Sequence, residues 1–458
     1  MRGAGPSPFH MQAAILFDGT CDRPALDGAL AALLARHPAL RTALIEGDDG
    51  APRQRVLNTS ALALACEWES QPLSEAAFRA RGSSFSQRPF DLAKPPLIRV
   101  LGAELEGATA EPARFGLVIT MHHSVSDGWS IGILARDLGE EYTARVSRPS
   151  PDVTDPGATL DAADASADAL DYKDYAVWLT ACLASESGAR SSDFWRRHFA
   201  EPVEPLQLPT DRPRPKVKGS AGATLEFDIP AASYAAFTTA LRAHSLSEFG
   251  ALFAALQLVL ARFSGQTNFS IGTPVAGRNH PALEEMVGFF VNVIPLRSSV
   301  DLNLTTGDFL AAVGQELADC LSHQSVSFDA IIEGLDLPRD LSRSPLFDIL
   351  LVLQNATDGE IVFGDGAERR EGRVLRLESE ASQYDLTLNA FQLEDGGLKL
   401  VVDYDTALFE APRIERIARS LARVIASLPS KMRSTVAAVE WVPETDSQWQ
   451  AAQAGVSV

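Results

Sequence analysis

The side chains best suited to chemistry lie together in the stretch His122-His123-Ser-Val-Ser-Asp127-Gly128. An imidazole that is neutral near pH 7 can take a proton from an attacking amine. Consecutive residues of a strand point to opposite faces, so only one of the two histidines can face a given cleft, which argues against a metal site chelated by both. A histidine pair in a strand is more often structural. The carboxylate and the glycine at these offsets make catalysis an equally good interpretation, because carboxylates are rarely buried unpaired.

The neighbouring residues predict how this stretch is held. Residues Arg114 to Met121 form a short apolar run with the length of a buried strand, and it ends at the histidines. After the turn Ser126-Asp127-Gly128, the apolar repeat from Trp129 to Tyr142 predicts an amphipathic helix with Ser130 as its N-cap. The backbone N–H groups at the N-terminus of such a helix can stabilise a developing oxyanion.

A serine hydrolase is a competing interpretation, because Gly128-Trp-Ser130-Ile-Gly132 matches the GxSxG nucleophile elbow. That elbow requires its serine on the sharp turn directly after the strand, whereas Ser130 falls in the first turn of the predicted helix. The hydrolase order also requires an aspartate and then a histidine downstream, and none of the later histidines stands in a recognisable setting. Hydrolysis through Ser130 is therefore the weaker hypothesis.

Composition and charge narrow the class of protein. Of the 458 residues, 46% are apolar and 22% are charged, which is the balance of a soluble globular protein. No stretch reaches the roughly 20 uncharged apolar residues that span a bilayer, and the first residues have no apolar signal core, so we expect a cytoplasmic protein. The formal net charge of −20 disfavours nucleic acid and anionic membranes as partners.

Sequence patterns for metals and cofactors are missing. The four cysteines lie far apart without a CxxC pair, so we expect neither a zinc site nor a disulfide framework; they are Cys21, Cys66, Cys182 and Cys320. The chain also contains no glycine-rich phosphate loop and no dinucleotide fingerprint. The sequence thus predicts no bound cofactor and no metal.

Strand-like and helix-like segments alternate along the chain, which predicts an α/β protein. Residues 146–169 are rich in Ala, Asp, Ser and Pro and predict an exposed connection between two lobes, and the pattern is lost again from Ser430 onward. The predicted strands are Met11 to Phe17, Arg114 to Met121, Asn268 to Thr273, Leu346 to Leu353, Tyr384 to Phe391 and Leu398 to Tyr404. The predicted helices include Arg23 to Ala35, Tyr172 to Leu183, Ser192 to Phe199 and Phe249 to Phe263, and a turn and helix occupy Thr406 to Leu428.

The stretch from His122 to Ser130 resembles the HHxxxDG active-site motif of condensation domains of nonribosomal peptide synthetases. Five further blocks resemble that family in the same order, and six ordered blocks over about 400 residues are far beyond a chance match. These blocks are Arg36 to Thr42 (RHxxLRT), Tyr172 to Trp178 with Asp193-Phe-Trp195 (YxDYAxW), Ile271 to Arg278 with Val287 to Asn292 and Leu296-Arg297 (GxxxxxR and GxFxN), Ser344 to Phe347 with Leu353 to Asn355, and Ser382 with Tyr384 to Thr387.

The resemblance implies an α/β (α+β) fold of two chloramphenicol-acetyltransferase-like lobes arranged as a V with a central tunnel. The N-terminal lobe with the HHxxxDG motif is expected over residues 1–165, the C-terminal lobe over 166–430, and a tail or interdomain linker over 431–458. Donor and acceptor peptidyl carrier proteins would deliver phosphopantetheine thioesters, and the acceptor amine would attack the donor carbonyl to form an amide. Val439-Glu-Trp-Val-Pro-Glu resembles the start of a linker to an adenylation domain, which is the expected neighbour.

The family's site residues transfer to matching positions. His123 is expected to position or deprotonate the amine, His122 to point away and support the strand, and Gly128 to allow close backbone approach. Asp127 is expected to be structural and to pair with Arg41 or Arg36, because the arginine fork matches a carboxylate. The resemblance further implies that two residues line the tunnel, Trp129 and Ser382.

Two departures from related subtypes refine the expectation. The chain lacks the EGHGRE-type loop of epimerization domains, and its HHxxxD differs from the DxxxxD of heterocyclization domains. The sequence around His122 and Gly288 is most similar to that of the condensation-domain subtype that takes an L-configured donor. The family's opening SxxQxRLW segment would precede residue 5. Two alternatives stay open, an acyltransferase of the same fold with a free amine or alcohol acceptor and a catalytically silent docking module.

Overall fold

The structure is a computed structural model of the 458-residue chain. It describes residues 9–106, 113–147, 170–242, 244, 246–354, 361–364, 369–375, 377 and 381–442. Most of the connection predicted at residues 146–169 therefore lies outside the described residues, as do residues 443 and 444 of the predicted linker start.

The chain divides into two compact units that each combine non-adjacent segments. Unit 1 contains residues 1–182, 276–291 and 356–379, and unit 2 contains residues 183–275, 292–355 and 380–458. Two short segments far along the chain thus complete the first unit. The lobe boundaries drawn from the sequence stay a prediction.

The strands of the described residues are numbered in chain order. They are β1 His10–Asp18, β2 Thr42–Glu46, β3 Pro52–Val56, β4 Cys66–Trp68, β5 Ile98–Leu105, β6 Arg114–His122, β7 Gly222–Ile229, β8 Asn268–Val275, β9 Asn292–Ser299, β10 Ile349–Gln354, β11 Val362–Phe363, β12 Arg370–Glu371, β13 Arg373–Leu375, β14 Leu386–Gln392 and β15 Leu398–Asp405.

The α-helices are numbered in the same way, and short 3-10 turns connect several of them. They are α1 Arg23–Arg36, α2 Glu75–Ser86, α3 Gly128–Val146, α4 Tyr172–Leu183, α5 Glu186–His198, α6 Ala231–Arg242, α7 Glu248–Ser264, α8 Thr306–Ser322, α9 Phe328–Leu335 and α10 Ala411–Ser427. No helix in the described part of the chain is long and apolar enough to cross a membrane.

Unit 1 is built on a five-stranded sheet in the order β13-β1-β6-β5-β4. β1 and β6 are antiparallel and pair from His10 with His122 to Asp18 with Arg114. Alternate residues point to opposite faces, so Ile15 and Phe17 enter the core with α1 and α3, while Ala14 and Leu16 enter the core with α2. With both faces covered, the end of β6 has a fixed position in the unit.

Unit 2 is built on a six-stranded sheet in the order β7-β15-β14-β10-β8-β9. β14 pairs parallel with β10 and antiparallel with β15. Helix α7 is buried continuously from Gly250 to Ala261, as its almost wholly apolar sequence requires. The two sheets and the helices around them have the mixed α/β character that the sequence predicts.

The predicted elements are present, with two informative differences. The strand predicted from Leu346 begins instead at Ile349, because Leu346 has a φ of 63° and cannot continue an extended strand. The predicted helix after the Gly turn is α3, but its N-cap is Asp127 rather than Ser130. A 3-10 turn over His123–Val125 separates β6 from the helix and places Asp127 at the cap position.

The residues after α10 pack onto unit 2 instead of leaving it. Val436, Val439 and Trp441 are buried in the large core of that unit, and Phe263 meets the indole of Trp441 edge to face. The sequence shows no periodicity here because the segment is a series of short turns with single anchoring side chains. The segment from residue 431 to residue 442 is therefore part of the folded unit.

Candidate active site

His123 stands directly after β6 with its imidazole in a defined hydrogen-bonding state. Its backbone N–H donates to the carbonyl oxygen of Phe9, and its Nδ1 lies 2.9 Å from the carbonyl oxygen of Ser126. A carbonyl oxygen can only accept, so Nδ1 carries the proton and the neutral ring has its lone pair on Nε2. Among the described residues Nε2 has no hydrogen-bond partner, and it is therefore available to accept a proton from a substrate.

The ring of Phe289 packs against the imidazole of His123. The two ring centroids are 4.9 Å apart in an edge-to-face arrangement, and 40% of Phe289 remains exposed. An apolar side chain that is exposed on one side and packed on a histidine on the other keeps water away from part of that histidine. No sequence pattern assigned Phe289 a role, although it lies within the GxFxN block.

His122 has different partners from His123. Its Nδ1 accepts from the backbone N–H of Ser124 at 3.2 Å and lies 2.8 Å from the Ser124 hydroxyl. Its ring meets those of His10 and Phe90 at centroid distances of 5.9 and 6.2 Å. Burial, followed by the charges of His10 and His123, lowers the pKa of His122 to about 4. His122 is therefore neutral near pH 7.

Asp127 is completely buried and accepts hydrogen bonds from three directions. Its Oδ1 accepts from the backbone N–H of Ser130 at 2.8 Å, which caps α3, and its Oδ2 accepts from the backbone N–H of Phe290 at 3.0 Å. Its charge is balanced by Arg278, whose Nη2 lies 3.2 Å from Oδ1 and whose side chain is only 2% exposed. Asp127 thus joins the helix start to the segment 276–291 of the same unit.

The arginine partner predicted for Asp127 was wrong. Arg41 instead donates to the carbonyl oxygens of Leu34, Ala35 and Leu57. Arg36 pairs with Asp137 at 3.3 Å and with Glu141 at 2.8 Å, two carboxylates on α3.

Arg278 is the last residue of the GxxxxxR block, and the sequence pattern predicts no role for it. Its Nη1 donates to the carbonyl oxygens of Leu283 and Met286, and its guanidinium lies 4.0 Å from the ring centroid of Phe290. Its pairing with Asp127 could not be predicted because the two residues are 151 positions apart in the sequence.

Ser130 is buried and joins two segments of the chain by hydrogen bonds. This contradicts both predicted roles, the N-cap of α3 and the nucleophile of a hydrolase. Its Oγ donates to the carbonyl oxygen of Gly288 at 3.0 Å and accepts from Arg278 at 2.9 Å and from the Gly288 N–H at 3.2 Å. Its proton lies on a carbonyl oxygen, and no histidine is among its partners in the described residues, so Ser130 lacks the setting of a hydrolase nucleophile. It also receives its own backbone cap from Asp127, so it is not the N-cap.

The backbone of each of the residues 288–290 makes hydrogen bonds to side chains from elsewhere in the unit. Gly288 bonds to Ser130 through both its N–H and its carbonyl oxygen, the hydroxyl of Tyr172 donates to the carbonyl oxygen of Phe289 at 2.5 Å, and Phe290 donates to Asp127. A Cβ added to Gly288 would lie 2.1 Å from Cδ2 of Tyr172, so only glycine fits. These contacts fix the place from which the Phe289 ring reaches His123.

The remaining predicted site residues are Gly128, Trp129 and Ser382. A Cβ on Gly128 would meet nothing within 4 Å, so the close backbone approach predicted there is not found among the described residues. Trp129 is 47% exposed, and its Nε1 donates to the carbonyl oxygen of Glu284 at 2.9 Å. Ser382 is buried in unit 2, where its Oγ donates to the carbonyl oxygen of Tyr384. The tunnel roles of Trp129 and Ser382 stay predictions.

The N-terminus of α3 also limits where an oxyanion can be stabilised. The N–H of Ser130 donates to the Asp127 carboxylate, and the N–H of Ile131 donates to the Asp127 carbonyl oxygen. Within the described part of the chain, the N–H groups of Gly128 and Trp129 are the ones in the first turn of the helix that are left for a ligand.

Comparison with known proteins identifies the class to which this fold and site belong. The Condensation domain family model matches residues 3–450. The chain therefore belongs to the condensation domain family, whose members are generally acyltransferases that form amide bonds.

Individual relatives agree along almost the whole chain. The chain is 30% identical over 447 residues to Surfactin synthase subunit 1 of Bacillus subtilis (strain 168), covering 97% of this chain and 11% of that protein. It is 31% identical over 430 residues to Tyrocidine synthase 3 of Brevibacillus parabrevis, covering 93% of this chain and 6% of that protein. The chain thus spans about a tenth or less of the length of these curated relatives.

Solved structures confirm the fold class. The X-domain from teicoplanin biosynthesis superposes with a TM-score of 0.80 at 25% identity, covering 94% of this chain and 92% of that one. The first condensation domain of the calcium-dependent antibiotic synthetase, in complex with a substrate analogue, superposes with a TM-score of 0.74 at 17% identity, covering 95% and 94%. The second similarity bears on the fold alone.

Proposed function

We propose that this domain joins a carrier-bound acyl or peptidyl donor to the amine of a carrier-bound aminoacyl acceptor, and that His123 handles the proton. The acceptor nitrogen attacks the thioester carbonyl and forms the C–N bond, and the C–S bond to the donor phosphopantetheine breaks. The amine proton passes to Nε2 of His123 and then to the departing thiolate, so the ring ends neutral. The donor is expected to have the L configuration.

The observation that supports this proposal is the tautomer of His123. Because the carbonyl oxygen of Ser126 holds the proton on Nδ1, the basic Nε2 is oriented without the need for a carboxylate partner. Positioning the amine and accepting its proton use the same lone pair, so both catalytic roles considered for this histidine are compatible with the geometry.

The surroundings of His123 favour transfer to an amine over transfer to water. The Phe289 ring packs edge to face against the imidazole. The backbone around Phe289 is held by Ser130, Tyr172 and Asp127, so the apolar cover does not depend on a mobile side chain alone. Exclusion of water protects a thioester from hydrolysis while an amine is brought into place.

The decisive experiment incubates the domain with a panel of loaded carrier proteins, free amines and free alcohols, with products identified by mass spectrometry. We expect amide product from matched carrier pairs, with L donors preferred over their D epimers. Product from free acceptors at equal rates would favour the free-substrate acyltransferase, and an inert domain with every pair would favour a docking module.

His123→Asn provides the variant for the same assay. The asparagine amide can still donate to Ser126 but offers no base at the Nε2 position, so we expect turnover to fall by about 10²–10⁴-fold with an unchanged circular dichroism spectrum. His244→Asn, at an exposed histidine of unit 2, is the matched control and should keep full turnover. Near-full activity of His123→Asn would remove His123 from the chemistry.

A further inference from the structure

Unit 2 contains a cluster of three potential metal ligands that takes no part in the proposed reaction. His198 lies at the end of α5, and Glu316 and Cys320 are four residues apart on α8. One ligand atom from each residue lies within 4.8 Å of the other two, and no second group of three or more His, Cys, Asp or Glu side chains approaches this closely in the described residues. We call these three residues the α5–α8 cluster.

The hydrogen bonds inside the α5–α8 cluster are crowded onto one atom. Oε1 of Glu316 lies 3.0 Å from Nε2 of His198 and 3.3 Å from Sγ of Cys320, and it also accepts from the backbone N–H of Arg297 at 2.8 Å. Two of these three donors, the imidazole and the thiol, are themselves good ligands for soft or borderline divalent metals once they present a lone pair.

The spacing of the three atoms is close to one face of a tetrahedral zinc site. Bond lengths of about 2.0–2.3 Å from Zn²⁺ to O, N and S ligands at tetrahedral angles separate the ligand atoms by about 3.3–3.6 Å. In the α5–α8 cluster these separations are 3.0 Å for N to O, 3.3 Å for S to O and 3.9 Å for N to S. Side-chain movements of a few tenths of an ångström would therefore complete the face.

Charge and access also suit a divalent ion. A thiolate and a carboxylate neutralise Zn²⁺, and a neutral imidazole adds no charge, so the bound site has no net charge to bury. Cys320 is fully buried, but the side chains of His198 and Glu316 are 16% and 19% exposed, so the cluster borders solvent, from which the metal and a fourth water ligand would come. Phe194 stacks on the His198 ring at 5.1 Å and limits its rotation.

We propose that His198, Glu316 and Cys320 form a zinc site with water as the fourth ligand. Zn²⁺ forms bonds to Nε2, Oε1 and Sγ, the thiol proton passes to solvent, the imidazole proton moves from Nε2 to Nδ1 by exchange with solvent, and no oxidation takes place. The metal would join the end of α5 to the C-terminal half of α8. The site lies wholly within unit 2 and goes beyond the proposed acyl transfer, so neither proposal depends on the other.

Metal titration of the chelator-treated full-length chain tests this site without any activity assay. We expect one equivalent of Zn²⁺ to bind in competition with a chromophoric chelator. Co²⁺, used as the spectroscopic probe, should show a thiolate-to-metal charge-transfer band and the strong visible absorption of four-coordinate cobalt. Absence of stoichiometric Zn²⁺ binding, or a cobalt spectrum without the thiolate band, would overturn the proposal.

Variants assign the ligands. Cys320→Ser should abolish the thiolate band, and His198→Asn should weaken Zn²⁺ binding by more than about tenfold, since even supporting residues around a metal are worth 10–100-fold. Cys21→Ser in unit 1 and the exposed His244→Ala are matched controls that should leave both signals unchanged, with folding checked by circular dichroism. Equal Zn²⁺ affinity in Cys320→Ser and the parent, or equal loss in the controls, would refute the assignment.

Discussion

At the scale of single residues, the properties of the site depend on how each histidine is protonated. The carbonyl oxygen of Ser126 keeps the proton of His123 on Nδ1, while burial keeps His122 neutral by lowering its pKa to about 4. The two neighbouring histidines of the motif thus have different roles because their hydrogen-bond partners differ. Asp127 has a third duty, since its carboxylate binds backbone N–H groups and Arg278 rather than either imidazole.

Replacing Asp127 by alanine should lower stability as well as activity. The change leaves the guanidinium of Arg278 buried without its anion, and breaking a buried pair costs about 3–5 kcal/mol. Chemical denaturation of Asp127→Ala measures this free energy. Glu285→Ala removes an exposed partner of Arg136 and should cost at most about 1 kcal/mol, so it serves as the control. A midpoint for Asp127→Ala equal to that of the parent would contradict the structural role.

Phe289→Ala should shift the products from amide toward hydrolysed donor. Removing the ring that packs on His123 admits water beside the imidazole, and we expect the ratio of hydrolysis to amide formation to rise about tenfold, equivalent to about 1.4 kcal/mol. The ratio is measured by mass spectrometry with loaded carriers. Phe289→Leu, which keeps an apolar cover, should recover most of the selectivity. An unchanged ratio in Phe289→Ala would show that the ring excludes no water.

At the scale of elements, the β6–α3 connection was predictable because its signals are local. An apolar run, a polar turn and a helical repeat follow one another in the sequence, and the structure places β6 and α3 there. The N-cap was assigned wrongly because Asp127 and Ser130 are both good capping residues. The choice between them depended on a 3-10 turn that the sequence pattern does not reveal.

The contacts of the segment 288–290 could not be predicted in the same way. Ser130, Tyr172 and Asp127 reach this segment from 117 to 163 residues away in the chain, so no window of sequence contains both partners. The GxFxN block marked the segment, but a glycine in a sequence does not disclose which neighbour excludes a side chain. Here that neighbour is the ring of Tyr172.

Gly288→Ala should displace this segment and reduce condensation. The added methyl group would lie 2.1 Å from the Tyr172 ring, and a misplacement of about 1 Å at a positioned group can cost about 10²-fold in rate. Turnover and the melting temperature would be measured together. Gly132→Ala is the matched control in α3, where an added Cβ meets none of the described residues within 4 Å and should stabilise the helix by up to about 1 kcal/mol. Wild-type turnover in Gly288→Ala would refute the need for glycine.

At the scale of the whole molecule, the chain corresponds to about a tenth or less of its curated relatives, so substrates presented by neighbouring carriers are part of the proposal. Tethering supplies a high effective concentration, and the intrinsic affinity for each carrier can be weak. Binding energy from the carrier would then position the reacting groups.

A donor on a short pantetheine mimic should therefore react much more slowly than the same acyl group on its carrier protein. We expect kcat/KM to fall by about 10²-fold or more when the carrier is removed, because remote binding energy no longer orients the thioester. Initial rates with the two donors at equal acceptor concentration provide the comparison. Equal efficiency would make carrier docking unimportant and would shift the preference to a free-substrate acyltransferase.

The discontinuous make-up of unit 1 has a consequence for biosynthesis and for engineering. Asp127 is translated 151 residues before its cation Arg278, and β13, which pairs with β1 at the sheet edge, is translated later still. While the chain is being made, the HHxxxDG region therefore holds an unneutralised carboxylate and an incomplete sheet until these late segments arrive. Such long-range closure is slow. A recombination breakpoint anywhere between residues 182 and 276 would join a motif to a foreign arginine segment, so chimeric assembly lines should exchange both segments together.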